Sequence, residues 1–370
     1  MRSNKCVVIG ITGSSGKTTT KEMIASILQQ RHRVFKSYKN GNDCWFTSQY
    51  AKQIKPSHEY AVLEFGMKHA GEITKHCQLI QPDIGLITNI GKAHIGNFKH
   101  GINGIAASKS EIISGMKPNG LLVTNADDPN SKKLTFHDSF KGRIVTIGIK
   151  QTADYRAGNI RYSTQGMSFS VMLRGANEHF DIPSIGIYNV QNSLFAIAVC
   201  DQLGIPVSDI KHGLLHYERP YARMELNHLN NGAILINDAY NTKPELNAAL
   251  DVLRYLSKGK RRVAVIGGIT DTGKWTKNIH YQAGKDLARS DLHALYTFGT
   301  KGKHIAIGAK KNGMKKHVVH VASMTELRRK VQREIGLGSV ILFKGAARNN
   351  NTILMRFIDR LLGSKTRENV

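Results

Sequence analysis

Apolar residues in this chain fall into short unbroken runs, separated by stretches with helical spacing. Val7-Val-Ile-Gly10 reads as a strand without polar interruption, and Met23, Ile24, Ile27 and Leu28 share one face of a helix predicted over 21–30. Further runs at 61–66 and 84–88 predict strands, 102–116 predicts a helix, and 120–124 predicts a strand leading to the polar turn Asn125-Ala-Asp-Asp-Pro129. Continuous apolar runs of this kind belong to strands covered on both faces, so an α/β fold with parallel strands is expected. Between 155 and 180 the period drops to two, as in Met167-Ser-Phe-Ser-Val-Met172, which predicts a short antiparallel excursion. Helical spacing returns over 190–203.

The pattern breaks around Glu218-Arg-Pro-Tyr221, and a second α/β unit starts with Ala233-Ile-Leu-Ile-Asn-Asp238. Its strands are expected at 262–267, 294–298, 317–321 and 339–343, with helices between them. Two domains follow, 1–218 and 219–370, and a chain of 370 residues is long enough to give each a core. There is no internal repeat.

Charge narrows the partners. Lys and Arg number 53 against 27 Asp and Glu, a formal +26. The basic residues are scattered, the densest run being Lys258-Gly-Lys-Arg-Arg262, and none are interleaved with aromatics as on an RNA-binding face. Anionic small substrates are therefore expected rather than nucleic acid. Cys6, Cys44, Cys77 and Cys200 lack the spacing of a metal site or a disulfide framework. No apolar run is long enough to span a bilayer and no signal-like segment precedes the first strand, so a cytoplasmic protein without a membrane span is expected.

The strongest chemical signal follows the first strand, in Ile11-Thr-Gly-Ser-Ser-Gly-Lys-Thr-Thr-Thr20. Gly13 and Gly16 let the backbone curl so that the amides around Ser14 and Ser15 face an anion; Lys17 adds a cation, and Thr18 or Thr19 a hydroxyl for Mg²⁺. Ile11 stands where the general phosphate-loop pattern has its first glycine. The pattern predicts a bound nucleotide triphosphate. Glu64, Asn89 and His94 fall just beyond the ends of predicted strands, where ligands of open parallel sheets gather. Taken singly, a strand-end carboxylate is usually a cap and a loop histidine usually just hydrogen-bonded. Beside a triphosphate cradle, Glu64 and His94 become candidate ligands for its Mg²⁺.

Segments in order along nearly the whole chain resemble the Mur ligase superfamily of ATP-dependent amide-forming enzymes. They are the phosphate loop, Glu64-Phe-Gly-Met67 with Gly71-Glu-Ile73, Thr88-Asn-Ile-Gly-Lys-Ala-His94, Ala107-Ser-Lys-Ser-Glu-Ile112, Asn125-Ala-Asp-Asp-Pro129 and Ile185-Gly-Ile-Tyr-Asn-Val-Gln-Asn192. Asn237-Asp-Ala-Tyr-Asn-Thr-Lys-Pro244, His280 with Gly284, and Lys344-Gly-Ala-Ala-Arg348 continue the series in the second unit. Within the superfamily the likeness is to the branch that adds D-alanyl-D-alanine to UDP-N-acetylmuramoyl-tripeptide. The resemblance implies a phosphate-loop central domain followed by a Rossmann-like C-terminal domain. It implies ATP and Mg²⁺ as cofactors, with Lys17 on the β- and γ-phosphates and Thr18, Glu64 and His94 on metal. It also implies that Lys109 carries a carbamate facing metal, that Asn189 and Asn192 approach the adenine and Asp238 the ribose, and that Arg223 and Lys344 lie near phosphates. The implied catalytic residues are Lys17, His94 and Lys109. The implied reaction joins a carboxylate to the amine of an amino acid or dipeptide through an acyl phosphate.

Two departures shape the expected substrate. The phosphate loop begins at residue 13, so the N-terminal domain that grips the UDP-sugar in peptidoglycan members is expected to be missing. The family's Gly-Asp-Met-x-Glu-Leu-Gly and Lys-Gly-Ser-Arg stretches appear as Gly267-Gly-Ile-Thr-Asp-Thr-Gly273 and Lys344-Gly-Ala-Ala-Arg348, both on the amine side, with Asn349-Asn-Asn351 where an acidic residue is expected. Three readings follow. They are a ligase acting on an anionic carboxylate other or smaller than the muramoyl tripeptide, the peptidoglycan ligase with a partner protein supplying acceptor recognition, and a non-catalytic ATP-binding subunit or sensor.

Overall fold

The structure, a computed structural model, describes residues 6–138, 140–240, 246–314, 317–345 and 348–363, with 348–353 as backbone only. It divides into two compact units at the Pro220–Tyr221 junction.

The first unit opens with β1 (Val7–Thr12), α1 (Lys17–Leu28), β2 (Val34–Lys36), α2 (Cys44–Gln53) and β3 (Tyr60–Glu64). It continues through α3 (Glu72–Leu79), β4 (Ile84–Ile87), α4 (Ile102–Gly115), β5 (Leu121–Asn125) and β6 (Arg143–Gly148). The strands β7 (Tyr155–Tyr162), β8 (Met167–Leu173) and β9 (Ala176–Ile182) then precede α5 (Ile187–Gln202) and α6 (Val207–His216). The sheet order is β2-β3-β1-β4-β5-β6-β7-β8-β9. Strands β1 to β6 pair in parallel, and β7–β8 and β8–β9 are antiparallel. The expected antiparallel excursion is thus no separate layer: Ile147 and Gly148 pair in parallel with Tyr155 and Arg156 and add it to the sheet edge. Ile9, Ile11, Leu86 and Val123 line the buried sheet, beneath Ile24, Leu28, Leu194 and Ile197 of the covering helices.

Helix α1 begins at Lys17 rather than at the expected residue 21. Gly16 is left-handed (φ 79°) and turns the chain directly into the helix, so the threonine run Thr18-Thr-Thr20 forms its first turn instead of the loop. The short β2 and the helices α2 and α3 carry too little periodicity to be read in advance, α2 being set by Asp43, whose carboxylate accepts from Phe46 N.

The second unit contains β10 (Glu225–His228), β11 (Ile234–Asp238), α7 (Leu246–Leu256), β12 (Arg262–Ile266) and α8 (Thr276–Ala288). After these come β13 (Ala294–Thr297), α9 (Gly299–Lys311), β14 (His317–His320), α10 (Met324–Gly336), β15 (Val340–Lys344) and α11 (Arg348–Leu361). Its sheet order is β10-β11-β15-β12-β13-β14, parallel except for the β10 edge. The central strand β15 is wholly buried from Val340 to Phe343. Helices α8 and α9 cross backbone to backbone: a Cβ at Gly284 would sit 2.1 Å from the Ile305 carbonyl oxygen, so only glycine fits there. Residues 241–244 of the Asn237–Pro244 motif, and Ala346 and Ala347 of the Lys344–Arg348 motif, lie outside the described residues, as do the side chains of Arg348 and Asn349 to Asn351.

Candidate active site

The loop between β1 and α1 is shaped by what its glycines touch. Gly13 has φ 151°, and a Cβ there would lie 1.7 Å from Thr88 Oγ1. At Gly16 a Cβ would lie 2.4 Å from Asn192 Oδ1. Gly13 is closed by Thr88, backbone included; at Gly16 the left-handed φ of 79° strains any side chain and Asn192 would have to give way. The end of β4 clasps the loop from the other side: Thr88 Oγ1 donates to Ser15 O (2.6 Å), and Asn89 Oδ1 accepts from Ser14 N and Ser15 N (2.9 Å each). The Ser14 hydroxyl accepts from Gly91 N at 2.8 Å. No side chain caps α1, so the positive end of its dipole faces the loop.

Cation, hydroxyl and carboxylate meet here. Lys17 Nζ donates to Gly13 O (3.0 Å) and lies 3.8 Å from Glu64 Oε1. Thr18 Oγ1 donates to Glu64 Oε2 (2.8 Å), and Asn42 Nδ2 donates to Glu64 Oε1 (2.7 Å). Glu64, at the end of β3, is buried, and Thr19 is buried beside Thr18 in the first turn. The geometry thus fits a polyphosphate with a hard cation: a glycine-walled turn, an uncapped helix end, a lysine, and hydroxyl and carboxylate oxygens in contact with each other. Among the described residues no three His, Cys, Asp or Glu side chains cluster, so a cation here would draw further oxygens from phosphate, water or a modified lysine.

His94 and Lys109 follow β4 in the chain. His94 is a half-buried residue with φ 57°, at the start of a short 3₁₀ turn. Lys109 is buried in α4. Two residues on, Glu111 accepts from Gly71 N (2.8 Å) and Thr74 N (3.0 Å), so the Ala107–Ile112 motif ties α4 to the start of α3. Asn192 and Asn189 sit behind the loop, on α5. Thr20 Oγ1 donates to Asn192 Oδ1 (3.4 Å), Asn192 Nδ2 reaches Asn189 Oδ1 (3.4 Å), and Asn189 Nδ2 donates to Ile185 O (2.9 Å).

In the second unit Asp238 and Lys344 end adjacent strands in register and form an ion pair with each other, both largely buried. The Arg223 guanidinium lies 4.4 Å from the centre of the Tyr240 ring, held between two left-handed residues, Ala222 and Met224. His280 is fully buried: its Nδ1–H donates to Thr276 O (2.6 Å) and its Nε2 accepts from Ile269 N (2.7 Å). Burial lowers its pKa from the ordinary 6.5, and this neutral ring pins the Gly267–Gly273 loop.

The parts that Lys21, Asn42 and Asp128 play in the first unit's site are not legible in the sequence, although the Asn125–Pro129 turn is among its motifs. Lys21 is fully buried, donating to Ser37 O (2.7 Å) and Lys39 O (2.6 Å), which anchors the segment carrying Asn42. Asn42 itself, the donor to Glu64, had no signal beyond a polar residue in a loop. In the turn Asn125–Pro129, Asp128 Oδ2 accepts from Ile90 N (2.6 Å), and burial raises its carboxyl pKa against the pull of that bond and of Asn130 N. The basic run at 258–262 is spent on the fold: Lys260 on Gly232 O, Arg261 on Glu334 and Arg262 on Asp291. No helix among the described residues is long and apolar enough to cross a membrane.

Comparison with known proteins agrees with this geometry. Residues 11–200 match the Mur ligase middle domain, and residues 222–347 the Mur ligase glutamate ligase domain. The chain is similar to the UDP-N-acetylmuramoyl-tripeptide–D-alanyl-D-alanine ligase of Bacillus subtilis, 33% identical over 340 residues, covering 92% of this chain and 73% of the relative. The ligase of the same name from Escherichia coli is 30% identical over 312 residues, with 81% and 68% covered. Among solved structures, MurF from Acinetobacter baumannii superposes with a TM-score of 0.86 at 29% identity, covering 97% of this chain and 77% of that one. The fold is also that of MurF from Thermotoga maritima, solved in complex with ADP (TM-score 0.83, 23% identity, 97% and 81% covered). With a phosphate loop clasped by β4, a buried Glu64 on Thr18, and both domain patterns in family order, the chain belongs to the Mur ligase family of ATP-dependent, amide-forming ligases.

Proposed function

We propose that this chain uses ATP to join a carboxylate to an amine, with Mg²⁺ at Thr18 and Glu64. The observation that carries the reading is the contact of Lys17, Thr18 and Glu64 at the mouth of an uncapped helix. In the first step a carboxylate oxygen attacks the γ-phosphorus, the bond to the β-phosphate oxygen breaks, and ADP leaves. In the second the amine nitrogen attacks the acyl carbon, the carbon–oxygen bond to phosphate breaks, and the amine's proton passes to the departing phosphate. Lys17 holds the phosphates through both steps and offsets the charge that shifts to the leaving oxygen. A cation held by Thr18 and Glu64 would supply charge neutralisation on the phosphate oxygens.

With the cation bound, His94 would be its nitrogen donor, and Lys109, if carbamylated, would add an anion. Asn189 and Asn192 support the loop from behind, and on the family resemblance Asp238 would serve the ribose and Arg223 and Lys344 the phosphates. The relatives' substrates, UDP-N-acetylmuramoyl-tripeptide and D-alanyl-D-alanine, form the pair to try first, with shorter peptide carboxylates next.

Phosphate release from ATP is measured with Mg²⁺ across a panel of carboxylates and amines. A rise that needs one of each, and that Lys17→Ala abolishes, supports the ligase. Tight ATP binding with a flat response across the panel refutes it. Incubation with ¹³C-bicarbonate tests Lys109, whose carbamate carbon gives an NMR signal absent from Lys109→Arg.

A further inference from the structure

The segment joining β2 to α2 is held from several sides, yet it presents large apolar side chains to solvent. The Lys21 ammonium grips two of its carbonyls, Ser37 O and Lys39 O. The Tyr50 hydroxyl accepts from Tyr38 N (3.1 Å) and donates to Gly41 O (3.1 Å). Asn42 O accepts from Gly66 N (2.7 Å) while its side chain reaches Glu64. On this fixed backbone Tyr38 is 66% exposed, and Trp45, in the first turn of α2, is 64% exposed. Ordering such a segment is costly, and rings left about two-thirds exposed, with Trp45 edge-on to Phe46, return only part of that cost through burial. A preorganised contact surface has this form, with rigid rings free to pack on a ligand without further ordering.

The contacts also say which ligand. From Lys17 through Glu64 to Asn42 there is an unbroken chain of contacts, and Trp45 stands three residues beyond Asn42, within about 10 Å of chain. On the ligase reading, the substrate whose carboxylate attacks the γ-phosphate must bring that carboxylate to this cluster before the amine enters. We propose that Tyr38 and Trp45 form the specificity surface for the carboxylate substrate, packing on the aliphatic atoms next to its reacting group. The proposal rests on the ligase reading.

Trp45 and Trp275 are the two tryptophans of the chain, so a Trp275→Phe protein reports on Trp45 alone. Its fluorescence is titrated with UDP-N-acetylmuramoyl-tripeptide, and with shorter peptide carboxylates, in the presence of ADP. A saturable change with reduced acrylamide quenching is expected. In turnover, Trp45→Ala raises KM for the carboxylate about tenfold, leaves KM for ATP and for the amine unchanged, and Trp45→Phe recovers most of the loss. An unchanged carboxylate KM in Trp45→Ala and Tyr38→Ala overturns the proposal, as does a rise confined to the amine KM. If no pair in the panel turns over, the ligase reading fails. The titration still decides the surface separately, since a flat signal with every carboxylate rejects it.

Discussion

Gly13→Ala is the sharpest perturbation of the site, because the structure sets its magnitude. A methyl group at Gly13 would lie 1.7 Å from Thr88 Oγ1, 3.0 Å from Thr88 Cβ and 3.2 Å from Thr88 N, the last being backbone that cannot swing aside. The φ of 151° is a glycine region, worth about 1–3 kcal/mol of strain for alanine. Relief requires the loop to leave Thr88, which breaks the bonds from its hydroxyl to Ser15 O and Thr12 O, about 1 kcal/mol each. The sum is about 3–5 kcal/mol. Because the loop can shift without unfolding the sheet, most of this appears as lost nucleotide affinity, about 100-fold or more in the Kd for ADP by calorimetry. Gly71→Ala is the control: its φ is 84° but nothing lies within 4 Å, so only about 1 kcal/mol of stability is lost and the ADP Kd stays put. A Gly13→Ala protein that binds ADP within about threefold of the parent would refute the argument.

Glu64→Gln keeps an acceptor for Thr18 but loses the charge, so phosphate release should fall by about 10²–10³ while Mg²⁺-free ADP binding holds; equal loss in both would mark Glu64 as structural only. Asp127 accepts from Ile149 N, Lys150 N and Gln151 N (2.7, 2.9 and 2.8 Å), so Asp127→Ala should cost about 2–3 kcal/mol, read as a melting point about 5–10 °C lower. The folded pKa of His280 lies below the ordinary 6.5, so the unfolded chain binds the extra proton first as pH falls. The stability from its neutral ring is present above pH 6.5 and declines below it by up to about 1.4 kcal/mol per pH unit until the folded ring titrates. Denaturant unfolding at pH 7.5 and 5.5 should show a steeper decline in the parent than in His280→Gln.

Local pattern carried the α/β class, the phosphate loop and the change of unit near residue 220, because each rests on adjacent residues. Gly-Ser-Ser-Gly-Lys-Thr needs no partner to be recognised, and the run Ile234-Leu-Ile shows its burial in its composition. What local pattern does not carry is the pairing of residues far apart in sequence. Asn42 matters through Glu64, 22 residues away, and Thr88 through Ser15, 73 residues away. Lys21, a charged residue in a helix, reads as solvated until the carbonyls of Ser37 and Lys39 close on it. Helix α1 starts four residues before the apolar face of Met23, Ile24, Ile27 and Leu28 predicts, because the left-handed Gly16 turns the chain into a helix that includes a threonine run of low helix propensity.

On the proposed nucleotide site, the loop's contacts separate the groups expected to move on binding from those expected to stay. Lys17 donates to a neutral carbonyl, Gly13 O, and the Ser14 and Ser15 amides to a neutral side-chain oxygen on Asn89. A phosphate oxygen is charged, and charge-assisted bonds are roughly twice as strong as neutral ones, so a triphosphate competes well for Lys17. The two amides differ, because Asn89 also donates back to Ser15 Oγ (2.5 Å) and so grips both ends of that turn. On the proposed reading, Lys17, held by Gly13 O and within 3.8 Å of Glu64, is the group expected to move on nucleotide binding, and the Ser14–Ser15 turn the part expected to stay. If the turn stays, nucleotide exchange would leave the Glu64–Thr18 pair and its Asn42 support in register with the loop, as the proposed positioning of a carboxylate at the γ-phosphate requires.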